Sequence, residues 1–460
     1  MVFSTPEFVV FFAVYLAIHA VIPHRWRLSL VIVGSAIFYA SWDWRLTWMP
    51  FALALFGWAS ALWMMGEPDT KARKRRLAVA VAVSLLPLLY FKYADFIAHE
   101  IARLGAWPVT TTSPKLLPLG ISFLTFTVIA YVVDVHAGRF PLQRAPAPVV
   151  GYLLFFPHQI AGPILRPRDL IPQLQRARDP RRASFALGLA IFTLGLVKKL
   201  VFADQLAETV ERVYAGGPGL TLLDHWLAFY GFGVQIYCDF SGYTDMAIGA
   251  ALIIGIRLPT NFRRPYLAPD IAEFWRRWHV TLSAWLRDYL FIPLGGSRHG
   301  PTRRFINVMI TMGLGGLWHG ANWPFLLWGL AHGFAIMVVR LRLRAVPRMP
   351  RPLAKLLTLH VVMALWILFR APDLAVAARV AGGLFAAPVD RLIPSLVENA
   401  FAVLLIGVFF ALHRFDDLAR VRLAVRKIST AMRLVLCAAG WLLAILISAG
   451  SSAKFIYFNF

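Results

Sequence analysis

Two histidines in apolar, tryptophan-rich sequence are the residues best suited to chemistry in this chain. His319 lies in "GLWHGANWP" (315–323), and His279 lies forty residues earlier in "FWRRWHVTL" (274–282). An ionisable side chain is costly in hydrocarbon, so residues of this kind usually have a function. The alternative for either residue is a core histidine with satisfied hydrogen bonds, and this reading is favoured for a third histidine, His332 in "WGLAHG".

The absence of several catalytic motifs limits the reaction classes that the sequence can support. The sequence has no G-x-S-x-G, Walker or H-E-x-x-H motif. Cys238 and Cys437 lie far apart in apolar sequence and are interpreted as small core residues, so neither a disulfide nor a metal site is expected. A neutral imidazole can remove a proton from an alcohol. The hypothesis is therefore acyl transfer to a hydroxyl, with water kept out to protect the acyl donor.

The composition predicts a membrane protein. The 460 residues are 59% hydrophobic and 15% charged, and the mean hydropathy is +0.64. A soluble domain is nearer half apolar and a quarter charged. The pattern predicts an all-α polytopic protein of about 11–13 transmembrane helices, with the first span retained and not cleaved as a signal peptide. The predicted spans are 5–23, 27–45, 47–65, 77–97, 117–135, 183–203, 225–255, 305–321, 323–342, 353–371, 397–413 and 431–450.

A short apolar piece between these spans, 148–162, is bounded by prolines. It is too short to cross a membrane as a helix. We expect a re-entrant segment, which is tolerated only where protein surrounds it.

The net charge of +24 reflects topology and not nucleic-acid binding. The basic residues fall in short clusters between apolar segments, as expected for cytoplasmic loops that contact anionic lipid headgroups. Alternation then places the N-terminus, residues 203–219 and the C-terminal "SSAKFIYFNF" on the periplasmic side. The clusters are "KARKRR" (71–76), "RARDPRR" (176–182), "RRPY" (263–266), "RLRLRAVPRMPR" (340–351) and "RVRLAVRK" (420–427).

The stretch 268–296 predicts an amphipathic helix at the cytoplasmic interface. Asp270 and Glu273 form a helix-start pattern, an N-cap with an acid three residues later. The spacing places His279 with the aromatic residues of this helix and away from Arg277.

Four ordered blocks resemble the membrane-bound O-acyltransferase (MBOAT) family, and within it the bacterial branch that O-acetylates alginate and related exopolysaccharides. They are "FFPHQIAGPILRP" (155–167), "YCDFSGYTDMAIGAALIIGIRLPTNFRRPY" (237–266), "FWRRWHVTLSAWLRDYLFIPLGG" (274–296) and "GLWHGANW" (315–322). The C-terminal "FIYFNF" belongs to the same resemblance. The resemblance implies one transmembrane domain over 1–460, with a motif core at about 117–335, in which helices surround a central tunnel.

The resemblance also implies roles for individual residues. His319 takes the catalytic position, and His279 takes the second motif position. The residues expected to line or brace the tunnel are Trp278, Trp318, Asp239, Ser241, Tyr243, Asp245 and Asn322, together with His158 and Gln159. Basic side chains including Arg276 and Arg277 are candidates for contacts with coenzyme A phosphates, although headgroup contact and topology are the favoured explanation for them.

The expected co-substrate is acetyl-CoA or another acyl thioester, with no bound cofactor. The expected partners are membrane lipids, periplasmic acetyltransferase or acetyl-carrier proteins and a polysaccharide acceptor. The expected location is the bacterial inner membrane.

Three alternatives remain open at this point. One is D-alanyl transfer to teichoic acid by a related membrane protein. Another is a polysaccharide or lipid transporter, for which Asp239 and Asp245 would line a permeation path. The third is a catalytically silent scaffold of a cell-envelope complex.

Overall fold

The computed structural model is predominantly helical in the part of the chain that it describes. This part comprises residues 1–105, 117–160, 162–176, 184–340 and 349–448, and it contains no strand. The C-terminal "FIYFNF" and parts of the basic clusters at 176–182 and 340–351 lie outside the described residues. The prediction of an all-α fold is confirmed.

The chain forms two compact units. One consists of Met1–Leu189 with Ala247–Pro259, and the other of Ala190–Met246 with Thr260–Phe460. The predicted single domain over 1–460 stays a prediction.

The first unit contains α1 Pro6–Val21, α2 Arg27–Ala40, α3 Trp48–Met65, α4 Thr70–Leu88, α5 Ala94–Arg103, α6 Ile121–His136, α7 Ala147–Leu154, α8 Phe156–Gln159 and α9 Pro167–Gln175. The unit boundaries fall within α10 Phe185–Val197 and α12 Leu222–Ile253. The second unit contains α11 Asp204–Ala215, α13 Ile271–Arg277, α14 Val280–Leu286, α15 Gly300–His319, α16 Trp323–Arg340, α17 Arg351–Arg370, α18 Leu374–Ala386, α19 Leu392–Glu398, α20 Ala400–Leu412, α21 Leu418–Lys427 and α22 Thr430–Ser448.

The described parts of all twelve predicted spans overlap helices, but fewer helices meet the length and apolarity of a full span. Six stretches of the described chain do so, or seven if α19 and α20, bent by 73°, count as one. The other predicted spans coincide with helices that are shorter, such as the 16-residue α1, or more polar, such as α12. The six are Trp44–Met65, Thr70–Arg103, Phe185–Ala215, Trp323–Arg340, Arg351–Arg370 and Thr430–Ser448.

The predicted re-entrant piece is a pair of short helices. Residues 148–162 fall on α7 and α8, which are eight and four residues long. Their described side chains are almost all buried within the first unit. The re-entrant course of this piece stays a prediction.

The predicted single amphipathic helix over 268–296 is wrong in its continuity. Asp270 does cap its start, because its side chain accepts a hydrogen bond from the Glu273 amide at 2.7 Å. The helix then stops at Arg277, and a second one begins at Val280. Between them His279 has a left-handed backbone with φ of 41°, and a residue in that conformation cannot continue a right-handed helix.

Small residues bring α15 and α16 together. A Cβ added to Gly316 would collide with the backbone carbonyl of Phe325, and one added to Gly329 would collide with the carbonyl of Met312. The two helices therefore pack backbone against backbone, as small residues permit in membrane proteins. This contact fixes the end of α15, where His319 lies.

Candidate active site

His319 lies in an aromatic enclosure in the second unit. It is the last residue of α15, and 4% of its surface is exposed. Its ring centroid lies 4.9 Å from that of Trp318, 5.3 Å from Trp328 and 5.0 Å from Phe369. Such surroundings contain few competing polar groups, so a proton acceptor there is shielded from bulk water.

The residues after His319 explain why the helix ends there. Gly320 is extended, and the Asn322 side-chain oxygen accepts a hydrogen bond from the Phe325 amide at 3.1 Å. Asn322 thus caps α16 in the manner of an N-cap asparagine. Its expected tunnel contact stays a prediction, whereas its observed role is structural.

Trp318 links the two predicted catalytic histidines. Its centroid lies 6.3 Å from that of His279 and 4.9 Å from that of His319. His279 is fully buried, and the Phe240 ring meets it edge-on at 4.6 Å. His279 therefore lies among aromatic side chains, but these come from other helices and not from the face of one continuous helix that the spacing predicted. Burial lowers the pKa of His279 to about 3, so this imidazole is neutral at physiological pH.

Asn261 holds His279 from another part of the chain, eighteen residues earlier. The Asn261 side-chain oxygen lies 3.1 Å from His279 Nδ1, and the Asn261 carbonyl accepts a hydrogen bond from the Val280 amide at 2.9 Å. Sequence reasoning missed Asn261. The only signal was its position within "LPTNFRRPY", one of the blocks that carry the family resemblance.

The predicted tunnel residue Asp239 is a partner in a buried ion pair. Lys199 Nζ lies 2.7 Å from a carboxylate oxygen of Asp239 and 2.7 Å from one of Asp204. The side chains of all three residues are at most 4% exposed. Neutralisation by a lysine explains how a carboxylate is tolerated at this depth.

Asp245 is held in the same way by the preceding lysine. Lys198 Nζ lies 2.8 Å from Asp245 and 2.7 Å from Asp416, and Tyr237 donates a hydrogen bond to Asp416 at 2.7 Å. Sequence reasoning missed both lysines. The available signal was the lysine pair of "VKK" within one predicted apolar span and the two aspartates within another predicted span. Both aspartates therefore have cationic partners.

The other predicted tunnel residues are buried. Ser241 and Tyr243 on α12 are 1% and 0% exposed. Trp278 packs against Trp366 with centroids 4.9 Å apart and stacks on Phe274 at 5.6 Å. Their lining of a tunnel stays a prediction.

A cavity of about 790 Å³ lies beside α13 and α14. Trp275, Leu286 and Met312 form part of an apolar wall. The lining also contains six arginines, a set suited to anionic oxygens, beside the carboxylates of Glu273 and Asp417. The arginines are Arg263, Arg264, Arg276, Arg277, Arg287 and Arg340.

Glu273 organises two of these arginines. Its carboxylate accepts hydrogen bonds from Nε of Arg276 at 2.6 Å and of Arg277 at 2.8 Å. Burial opposes the charge on Glu273, but the hydrogen bonds from Arg277 and Arg276 outweigh it and hold its pKa below the usual value. Bonded through Nε, both guanidinium groups keep terminal N–H donors for a ligand.

His332 connects this cavity to the histidine site. It is fully buried, and its Nδ1 accepts a hydrogen bond from Trp275 Nε1 at 3.3 Å. Its ring also lies 4.9 Å from Trp328, which contacts His319. His332 Nε2 is buried without a hydrogen-bond partner among the described residues, so the prediction of a core histidine with satisfied hydrogen bonds is met only at Nδ1.

His158 and Gln159 lie in the first unit, on α8, where both are 2% exposed. His158 Nδ1 lies 2.7 Å from the Phe155 carbonyl. Among the described residues, no group of three or more His, Cys, Asp or Glu side chains is arranged to hold a metal ion.

Comparisons with known proteins identify the family of this chain. The family model of the membrane-bound O-acyltransferase family matches residues 146–376, which include His158, His279 and His319. The chain is 41% identical to the probable alginate O-acetylase AlgI of Azotobacter vinelandii over 84% of this chain and 78% of the relative. It is 34% identical to the peptidoglycan O-acetyltransferase of Helicobacter pylori over 84% and 80%.

A more distant relative is the teichoic acid D-alanyltransferase of Bacillus subtilis, which is 29% identical over 55% of this chain and 65% of its own. The identity and coverage of the two acetylases are sufficient to assign the family. The chain belongs to the membrane-bound O-acyltransferase family and is a multi-pass membrane O-acyltransferase.

Proposed function

We propose that this enzyme moves an acetyl group from a cytosolic thioester to a hydroxyl, for O-acetylation of an exopolysaccharide such as alginate. The observation that carries the proposal is the burial of His319 among Trp318, Trp328 and Phe369. The relatives named as O-acetylases match a larger share of the chain than the D-alanyltransferase does. That difference favours acetyl over D-alanyl transfer.

The proposed step needs one base. His319 accepts the proton of the acceptor hydroxyl as its oxygen attacks the thioester carbonyl carbon. A carbon–oxygen bond forms, the carbon–sulfur bond breaks, and the leaving thiolate takes the proton back from the imidazolium. The aromatic enclosure excludes water, which would otherwise hydrolyse the thioester.

The arginine-rich cavity is the proposed entry site of the donor. Its guanidinium groups fit the phosphates of a carrier such as coenzyme A, and its apolar wall fits the acyl-bearing arm. Arg276 and Arg277, fixed by Glu273, supply terminal donors for bidentate contact with phosphate.

The proposed orientation places this cavity on the cytosolic side of a bacterial inner membrane. The basic clusters at 71–76, 263–266 and 420–427 then lie on that side, and both chain ends lie in the periplasm. The acceptor is either the polysaccharide itself or a periplasmic acetyl-carrier or acetyltransferase protein.

The test is the O-acetyl content of surface polysaccharide in a deletion strain complemented with wild type, His319→Ala or His99→Ala. His99 is an exposed histidine on α5 and is the matched control. Removal of a general base is expected to lower the rate by about 10²–10⁴-fold. Wild type and His99→Ala should restore acetylation, and His319→Ala should not, at equal membrane levels.

Full acetylation by His319→Ala would refute the role of His319. Peptidoglycan O-acetyl content, measured in the same strains, tests the acceptor class. Restoration of peptidoglycan acetyl alone would replace the proposed acceptor, and restored D-alanyl esters without acetyl would replace the proposed acyl group.

A further inference from the structure

Three groups converge on one oxygen of the Asn261 side chain. They are the Thr281 amide at 3.2 Å, the Thr281 hydroxyl at 2.8 Å and Nδ1 of His279 at 3.1 Å. Asn261 is 1% exposed and His279 is 0% exposed, so water does not compete for these contacts.

The hydrogen bond from the Thr281 backbone amide identifies which atom of the Asn261 side-chain amide faces His279. A backbone N–H can only donate, so the Asn261 atom that it meets must be the oxygen and not the nitrogen. The same oxygen faces His279 Nδ1. Because an amide oxygen only accepts, Nδ1 must carry the proton. A neutral imidazole has one N–H, so Nε2 carries the lone pair.

The geometry leaves that lone pair available. His279 Nε2 is buried and has no hydrogen-bond partner among the described residues. The left-handed backbone of His279 is held by flanking bonds from Val280 N to Asn261 O and from Arg263 N to Arg277 O, each 2.9 Å long. Non-glycine residues in this conformation cost energy and persist where the surroundings enforce them, often at functional sites.

We infer that Asn261 is a positioning residue that locks His279 in its Nδ1–H tautomer, so that Nε2 serves as a hydrogen-bond acceptor for the acceptor hydroxyl. This inference rests on the proposed function and assigns separate roles to the two histidines. His279 orients the hydroxyl, and His319 removes its proton. In this tautomer His279 cannot donate from Nε2 to the acyl carbonyl.

The tautomer is measurable without any assay of activity. Magic-angle-spinning NMR of protein labelled with ¹⁵N,¹³C-histidine in liposomes distinguishes a protonated from an unprotonated Nε2. The His279 signal is the one missing from His279→Asn, a variant chosen because asparagine tolerates a left-handed backbone. We expect a protonated Nδ1 and an unprotonated Nε2 at pH 7 in wild type.

Two substitutions at Asn261 distinguish loss of its hydrogen bond to His279 from a general packing defect. Asn261→Ala removes the acceptor and should let His279 populate the Nε2–H form, whereas Asn261→Asp keeps an acceptor and should keep the Nδ1–H form. Thr281→Val is the matched control, since it removes one donor to the same oxygen but leaves the His279 contact. A wild-type signal with protonated Nε2, or an unchanged tautomer in Asn261→Ala, would overturn the inference.

Kinetics supply a second readout. Asn261→Ala should lower kcat by about 10–100-fold and leave KM for the thioester within about threefold, because the donor cavity is unchanged. Thr281→Val should keep kcat within about threefold of wild type. An increase in donor KM with unchanged kcat would contradict the assigned role. If the proposed reaction itself were wrong, neither protein would acetylate, yet the tautomer result would stand.

Discussion

Lys199 and Asp239 form an ion pair of 2.7 Å in which the two side chains are 4% and 1% exposed. The same lysine lies 2.7 Å from Asp204, so one cation serves two carboxylates. The lysine is therefore harder to replace than either aspartate.

Lys199→Met should strongly destabilise the protein. It leaves two buried carboxylates without a cation, and breaking a buried pair costs about 3–5 kcal/mol. Asp239→Asn should cost less, because the pair between Lys199 and Asp204 remains. The measurement is the thermal unfolding midpoint in detergent and the membrane level, with the exposed Lys355→Met as control. An equal effect of Lys199→Met and Lys355→Met would show that the ion pair contributes nothing to stability.

Gly316→Ala should disturb the site from a distance. Its Cβ would meet the carbonyl of Phe325, and overpacking of this kind costs about 1–3 kcal/mol. Because His319 lies one helical turn further on, acetyl transfer should fall together with stability. Gly407→Ala on α20 is the control, since nothing lies within 4 Å of its Cβ position. If both variants behave as wild type, the contact between α15 and α16 is not tight.

Arg277→Gln should weaken donor binding and spare the chemical step. Loss of a charged hydrogen bond corresponds to about a tenfold rise in KM for the thioester, with kcat nearly constant. The assay is acetyl transfer in proteoliposomes over a range of donor concentrations. Arg25→Gln changes an exposed arginine of the first unit and should leave KM unchanged. A fall in kcat at constant KM would exclude the cavity as a donor site.

Acid should destabilise the protein partly through His279. Its pKa is about 3 in the folded state, below the ordinary value of 6.5. The unfolded state therefore binds more protons between these pH values, and stability falls as pH falls below about 6.5.

The measurement is the drop in unfolding midpoint between pH 7.5 and pH 5.0. It should be smaller in His279→Asn than in wild type, and unchanged in His99→Asn, because His99 is exposed. Equal drops in wild type and His279→Asn would mean that His279 does not stay neutral.

The sequence by itself determined the helical class, the approximate positions of the helices and the two histidines. Long apolar stretches are visible locally in the sequence. Because a chain in lipid must satisfy its own backbone hydrogen bonds within the helix, such stretches predict helices. The cap at Asp270 was also predictable, because the N-cap side chain and the backbone amide that donates a hydrogen bond to it are only three residues apart. The family blocks then marked His279 and His319.

Only the tertiary structure decided how those residues are held. The break at His279 depends on Asn261, eighteen residues away in sequence, and no local helical period encodes that bond. The partners of Asp239 and Asp245 were hidden for the same reason, since Lys199 and Lys198 lie on a separate helical segment. The helical periodicity of a sequence indicates which face of each helix is apolar. The pairing of buried polar groups depends instead on which helices meet in the tertiary structure.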